Sequence, residues 1–177
     1  MKNKVALLLV LVILSLGFAG CAEITDSQGQ EEGLRIITTY MPATDLVLAL
    51  SGKDELVGVD DSSVGSEVLE NLDPQHEIIA VGSKKNGVNI EQVISLNPDL
   101  VVLYPTKKDD HTLQQLQDKN INVISINPES IESLQKDIIA VSKAMGKEIK
   151  GQELNKYLNE KISIIKDCIK NINDKRT

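Results

Sequence analysis

The sequence predicts an α/β fold: a three-layer α/β/α arrangement around a mostly parallel sheet of about five strands, followed by one long helix. Three observations predict it. Short, nearly continuous apolar runs recur along the chain (Ile78–Val81, Leu100–Leu103, Val123–Ile126), as in strands covered on both faces. Capped helical stretches separate these runs, which is the alternation of βαβ units. Near the end, Leu154, Leu158, Ile162, Ile165, Ile169 and Ile172 recur at helical spacing and make one apolar stripe.

The elements follow in order. Arg35–Thr39 is a β-branched run and reads as the first strand. Pro42 suits the first turn of a helix that continues from Thr44 to Leu50 and stops at Ser51-Gly52. Glu55–Val59 is the second strand. A loop and short helix over Asp60–Leu72 lead to an Asp73-Pro74 turn, and Ile78–Val81 is the third strand. Asn89 caps a helix to Leu96, with Gln92 placed to reciprocate. Asn97-Pro98 ends that helix, and Leu100–Leu103 is the fourth strand. Asp110–Asp118 is a helix and Asn122–Ile126 the fifth strand. Ser130 caps a long helix that ends near Gly146, and a last helix runs from about Lys147 to Asn173. Ligands of such sheets bind outside the carboxyl ends of the strands. The loops Tyr40–Thr44, Asp60–Ser66, Ser83–Val88, Tyr104–Asp110 and Asn127–Ser130 therefore share one edge.

The first 20 residues read as an export signal: Lys2 and Lys4, an apolar run from Val5 to Leu16, then small residues. Ala19-Gly20 directly before Cys21 resembles a bacterial lipobox, which implies a lipid on Cys21 and a membrane-anchored, extracytoplasmic protein. An ordinary secretory cleavage or an uncleaved anchor remains open on the same residues. Residues 21–33 are polar and acidic and read as a flexible tether. The other cysteine, Cys168, falls on the apolar face of the last helix and reads as a packed small hydrophobe. Only one cysteine remains beside an acylated one, so no disulfide framework is expected.

Of the 177 residues, 41% are hydrophobic and 25% charged, the composition of a globular chain. Phe18 lies in the leader, so beyond it the aromatic residues are Tyr40, Tyr104 and Tyr157 and the core must be aliphatic. The net charge is −7, and removing the leader's two lysines takes it to −9. Such an acidic chain argues against nucleic acid as a partner. Residues 34–177 suffice for one core but not for two domains with a cleft between them.

The motifs speak against an enzyme. No Gly-x-Ser-x-Gly nucleophile turn occurs, and His76 and His111 lack metal-ligand spacing. Gly82-Ser-Lys-Lys-Asn-Gly87 superficially resembles a phosphate loop. That pattern requires Lys and Ser/Thr after the second glycine, where Val88-Asn89 stand.

Two blocks carry a resemblance. Arg35-Ile-Ile-Thr-Thr-Tyr-Met-Pro-Ala-Thr-Asp-Leu-Val-Leu-Ala-Leu with Glu55-Leu-Val-Gly-Val is one. Val81-Gly-Ser with Val88-Asn-Ile-Glu-Gln-Val-Ile-Ser-Leu-Asn-Pro-Asp-Leu-Val-Val-Leu is the other. Together with the strand Asn122–Ile126 and Ser130-Ile-Glu-Ser-Leu, they resemble the helical-backbone periplasmic binding proteins. That family serves ABC importers of ferric siderophores, haem, cobalamin and related chelates. Its members have two α/β lobes flanking a linking helix, with the ligand between the lobes. The resemblance implies a first lobe over 34–146 and a linking helix over 147–177, with the second lobe absent. It also implies no cofactor, a metal-chelate ligand, and an ABC permease with its ATPase as partners.

Site residues follow from the resemblance and the edge rule together. The Gly82–Gly87 loop would line the cleft floor with Ser83, Lys84 and Lys85. Lys107 and Lys108, beside Tyr104, form a second lysine pair, and the two pairs imply an anionic chelate. Tyr40, Met41 and Thr44 sit at a helix N-terminus, which favours anionic groups. Tyr40 would stack on a flat chelate or hydrogen-bond to it. Met41 would ligate haem iron or simply pack, and Tyr104 is an aromatic wall or loop packing. Glu91, in the Asn-Ile-Glu motif, would pair with arginines of the permease. A first-turn glutamate is also favoured by the helix dipole alone. A ligand-sensing module of a signalling system and a split-gene fragment are the alternatives left open.

Overall fold

The computed structural model describes residues 33–83, 85–104 and 111–174, apart from the side chains of 172–174. Strand β1 (Ile36–Thr38) leads through α1 (Met41–Ser51) to β2 (Leu56–Val59). Two short helices, α2 (Asp61–Val64) and α3 (Glu67–Leu72), precede β3 (Ile79–Ala80). A hairpin of β4 (Gly82–Ser83) and β5 (Gly87–Val88) comes next, then α4 (Ile90–Ser95) and β6 (Leu100–Leu103). The chain continues through α5 (His111–Asp118), β7 (Asn122–Ser125) and α6 (Ile131–Ala144) to α7 (Glu148–Asp174). The main sheet runs β3-β2-β1-β6-β7 with all neighbours parallel. Strand order reverses between β1 and β6, which makes the gap beyond their carboxyl ends the topological switch point.

Three layers arise because successive strand residues point to opposite faces. Ile36, Leu100 and Val102 join a core with Val47 and Leu50 of α1 and Ile138 and Val141 of α6. Their chain neighbours Ile37, Val101 and Leu103 join a second core with Val93 of α4 and Leu116 of α5. Of the expected runs, Leu100–Leu103 is apolar throughout because each residue serves one of the two cores, whereas β3 and β7 are sheet edges where Ile79 and Ser125 are exposed. The caps also stand where the sequence places them. Asn89 accepts from the Gln92 N–H at 3.1 Å, and Ser130 forms a reciprocal capping box with Ser133.

Two elements differ from expectation. The segment read as a loop over Ser83–Val88 contains the antiparallel hairpin β4–β5. Gly82 sits at φ +93, and a Cβ there would collide with the Gly87 carbonyl oxygen. Backbone therefore meets backbone in a way only glycine permits. Cys168 is exposed rather than packed. Helix α6 has 14 residues and α7 has 27, about 21 Å against about 40 Å of length. Leu154 and Leu158 pack on the core, whereas Ile164, Ile165 and Ile169, like Cys168, lie past the reach of α6 and are exposed. The helices meet closely at Gly151, where a Cβ would collide with the Ser142 side chain. Among the described residues no helix is long and apolar enough to cross a membrane.

Candidate functional site

The candidate site is a hollow of about 410 Å³ at the carboxyl edge of the sheet. Thr39 and Tyr40 come to it from the end of β1, and Asp60, Asp61 and Ser62 from the end of β2. Ser83, Lys85 and Asn86 come from the β4–β5 hairpin. Thr39 still pairs with β6, its N–H donating to the Val102 carbonyl at 3.1 Å. Tyr40 keeps the extended backbone of the strand (φ −164, ψ 151) while capping α1. Its side chain is thereby delivered to the switch point.

Tyr40 is tightly held. Its ring meets the Tyr104 ring edge-on, with centroids 5.3 Å apart and planes at 72°, a favoured aromatic geometry. Its hydroxyl donates to the Ile126 carbonyl at 3.1 Å. Burial pushes the Tyr40 phenol well above its ordinary value, and the nearby Asp137 carboxylate and Tyr104 push it further. Tyr104 and Tyr40 thus bracket the switch point, one after each of the two strands that flank it.

Behind the hollow lies a buried polar network. Asp60 is 2% exposed and accepts from the Ser62 N–H at 3.1 Å and from the Ser62 and Ser63 hydroxyls. With its single proton given to Asp60, the Ser63 oxygen accepts from the Thr44 hydroxyl at 3.0 Å, and Thr44 in turn accepts from Thr38 at 2.7 Å. A carboxylate and four hydroxyls thus tie β1, α1 and α2 together beneath the hollow. Satisfied throughout, such a network rigidifies what it joins. The hairpin is anchored too, since Asn86 donates its side-chain amide to Asp61 at 3.2 Å.

Of the residues singled out from sequence, Tyr40, Ser83 and Lys85 line the hollow. Tyr104 supports it through Tyr40. Thr44 is not brought there: it is 2% exposed and its hydroxyl is engaged within the fold. Met41 is 38% exposed at the start of α1 and is not part of the lining. Glu91 is exposed in the first turn of α4. Cys21, Lys84, Lys107 and Lys108 lie outside the described residues. Sequence reasoning missed Thr39, Asp60, Asp61, Ser62 and Asn86. The signal that finds them is position, since each directly follows a strand end or sits in the hairpin at the edge where α/β sheets bind ligands. Among the described residues no three His, Cys, Asp or Glu side chains group as a metal site.

A parallel sheet with an aromatic-edged hollow beyond the carboxyl ends of β1 and β2 is the edge at which α/β proteins bind their ligands. The chain belongs to the periplasmic binding protein family, whose model matches residues 36–177. It is 24% identical to an uncharacterized ABC transporter substrate-binding lipoprotein, YvrC, of Bacillus subtilis, over 97% of this chain and 61% of that protein. It is likewise 24% identical to the vitamin B12-binding protein of Vibrio parahaemolyticus, over 94% of this chain and 54% of that one. In three dimensions it resembles the apo form of the periplasmic heme-binding protein RhuT from Roseiflexus. There the TM-score is 0.64 and the identity 24%, over 76% of this chain and 49% of the other. The chain thus spans roughly half to three fifths of the curated relatives' length. These relatives are binding proteins rather than enzymes.

Proposed function

We propose that this chain is a lobe of the solute-capture component of an ABC importer for a metal chelate of the cobalamin, haem or ferric-siderophore class. The observation that carries the reading is the hollow at the carboxyl edge of the sheet, walled by Tyr40 and floored by Ser83 and Lys85, in a chain of this family. An aromatic wall with a few convergent polar groups suits a large conjugated ligand. Lys85 is the cationic side chain of the lining among the described residues, and it favours an acidic periphery on the ligand. The leader and Cys21 support an extracytoplasmic, lipid-anchored location. In this reading residues 34–146 are the lobe, 147–177 the linking helix, and exposed Glu91 the contact for the permease.

The test is titration of the full chain with cyanocobalamin and, separately, with hemin, followed by absorbance. Saturable binding of at least one is expected, with loss of about tenfold in affinity on Tyr40→Ala. No saturable binding of either would overturn the reading. Glu91→Ala should leave that binding intact while weakening co-purification with the permease. Equal loss of both would make Glu91 structural.

A further inference from the structure

Tyr40 and Asp137 touch opposite sides of one peptide group. The Ile126 carbonyl accepts the Tyr40 hydroxyl at 3.1 Å. The N–H of the same amide, that of Asn127, donates to Asp137 Oδ2 at 3.2 Å. Asp137 lies on α6, behind the sheet, and no part of it lines the hollow. A carboxylate pulling on an amide N–H polarises the amide and makes its carbonyl a better acceptor. The phenol on the far side is then held more firmly as a donor.

We infer that Asp137 is a positioning residue, acting through the 126–127 peptide to fix Tyr40 as a rigid, protonated wall of the hollow. The inference rests on the proposed ligand reading for the word "wall", but its first test does not. It also narrows the ligand chemistry. A phenol that donates to a backbone carbonyl and keeps its proton is not free to bind a metal as phenolate, so Tyr40 offers a ring and not an oxygen. A chelate held here is recognised by its conjugated surface, with its metal already satisfied by its own ligands.

Charge relations agree with the geometry. The Asp137 carboxyl is held above its ordinary value by burial, against the lowering effect of the Asn127 N–H. Among the described residues, the Tyr104 ring meets Tyr40 and Glu129 accepts from the Asn127 side chain at 3.0 Å. A carboxylate with a raised native value costs the fold at neutral pH, and that cost disappears as the pH falls below that value.

The decisive experiment follows exchange of the Tyr40 hydroxyl proton with solvent in the full chain at neutral pH, read by NMR at the ring carbon that bears the hydroxyl in mixed light and heavy water, with Tyr40→Phe to assign the signal. In Asp137→Asn, which keeps an acceptor but removes the charge, this exchange should quicken by about threefold. In Asp137→Leu, which removes the acceptor as well, exchange of the Tyr40 hydroxyl and of the Asn127 amide should both quicken by about tenfold. Tyr40 hydroxyl exchange equal to wild type in both variants overturns the inference. If the leucine variant does not fold, the asparagine variant decides alone. A binding arm uses the same two probes. Where wild type binds cyanocobalamin or hemin, Asp137→Leu should weaken it by about threefold or more, and unchanged affinity overturns the wall role. Absence of binding by wild type counts against the proposed function, and hydroxyl exchange still decides the positioning.

Discussion

The two edges of the sheet are built from different chemistry. At the amino edge the chain closes with charges. Arg35 donates through Nε and Nη2 to the Leu96 carbonyl at 3.1 and 2.7 Å and reaches Asn97 at 3.2 Å, covering the end of α4. Glu55 pairs with Lys147 at 3.1 Å and thereby ties β2 to the start of α7. Asp73 accepts from the Ile78 N–H at 2.9 Å. At the carboxyl edge hydroxyls, aromatic rings and a buried carboxylate that accepts from serines brace the hollow, and the exposed charges Asp61 and Lys85 line it rather than fasten helix ends. Charges at the amino edge satisfy helix ends and fasten elements. The carboxyl edge keeps a concave surface open while its backbone is braced from behind. One edge stabilises, and the other stabilises and presents a site.

That contrast can be broken by mutation. The largest effect is expected at Asp60. Asp60→Ala strands the Ser62 and Ser63 hydroxyls and should cost about 2–3 kcal/mol by denaturant unfolding. It should also weaken whichever probe the chain binds, because α2 and the hollow's floor loosen together. A stable variant with unchanged binding would show that the network is not what braces this edge.

Arg35→Ala should cost about 1.5–2 kcal/mol, the worth of charge-assisted bonds to a helix end. Probe affinity measured well below the melting temperature should stay as in wild type. Loss of affinity would mean that the amino edge reaches the site and that the two edges are not separable.

The smallest effect is expected at Asp73 and depends on pH. The Ile78 N–H holds its carboxyl below the ordinary value, burial opposes this, and Lys53 assists at 4.0 Å. A depressed native value means stability that is present above the unfolded value and lost as pH falls through the native one. Asp73→Asn should therefore be less stable than wild type at neutral pH, with the gap closing below about pH 4. A gap independent of pH would assign the loss to packing instead.

Much of this was legible in the residues. The apolar run Leu100–Leu103 announced β6, because a strand buried on both faces needs apolar residues at every position, and the β-branched run Arg35–Thr39 announced β1. Pro42, Asn89 and Ser130 marked helix starts through local chemistry that needs no tertiary partner. The site was legible in part. Tyr40, Ser83 and Lys85 were found because sheet topology names the edge where ligands bind. Asp60 was placed only at the start of the loop after the second strand, and its burial depends on Ser62 and Ser63 donating to it. Thr44 was assigned outward, yet α1 turns it inward toward Thr38. The hairpin escaped notice because two-residue strands carry no periodicity.

The sequence by itself therefore determined the class of fold, the order of elements and the helix starts, since period and capping are local properties. The tertiary structure alone decided three further matters. It decided that Ile165, Cys168 and Ile169 are exposed, because coverage depends on the length of α6. It decided that Tyr40 donates to a carbonyl rather than to solvent, because residues 86 positions apart meet at the switch point. And it decided that Asp137 grips the other side of that same peptide, a relation between three elements that no spacing along the chain records.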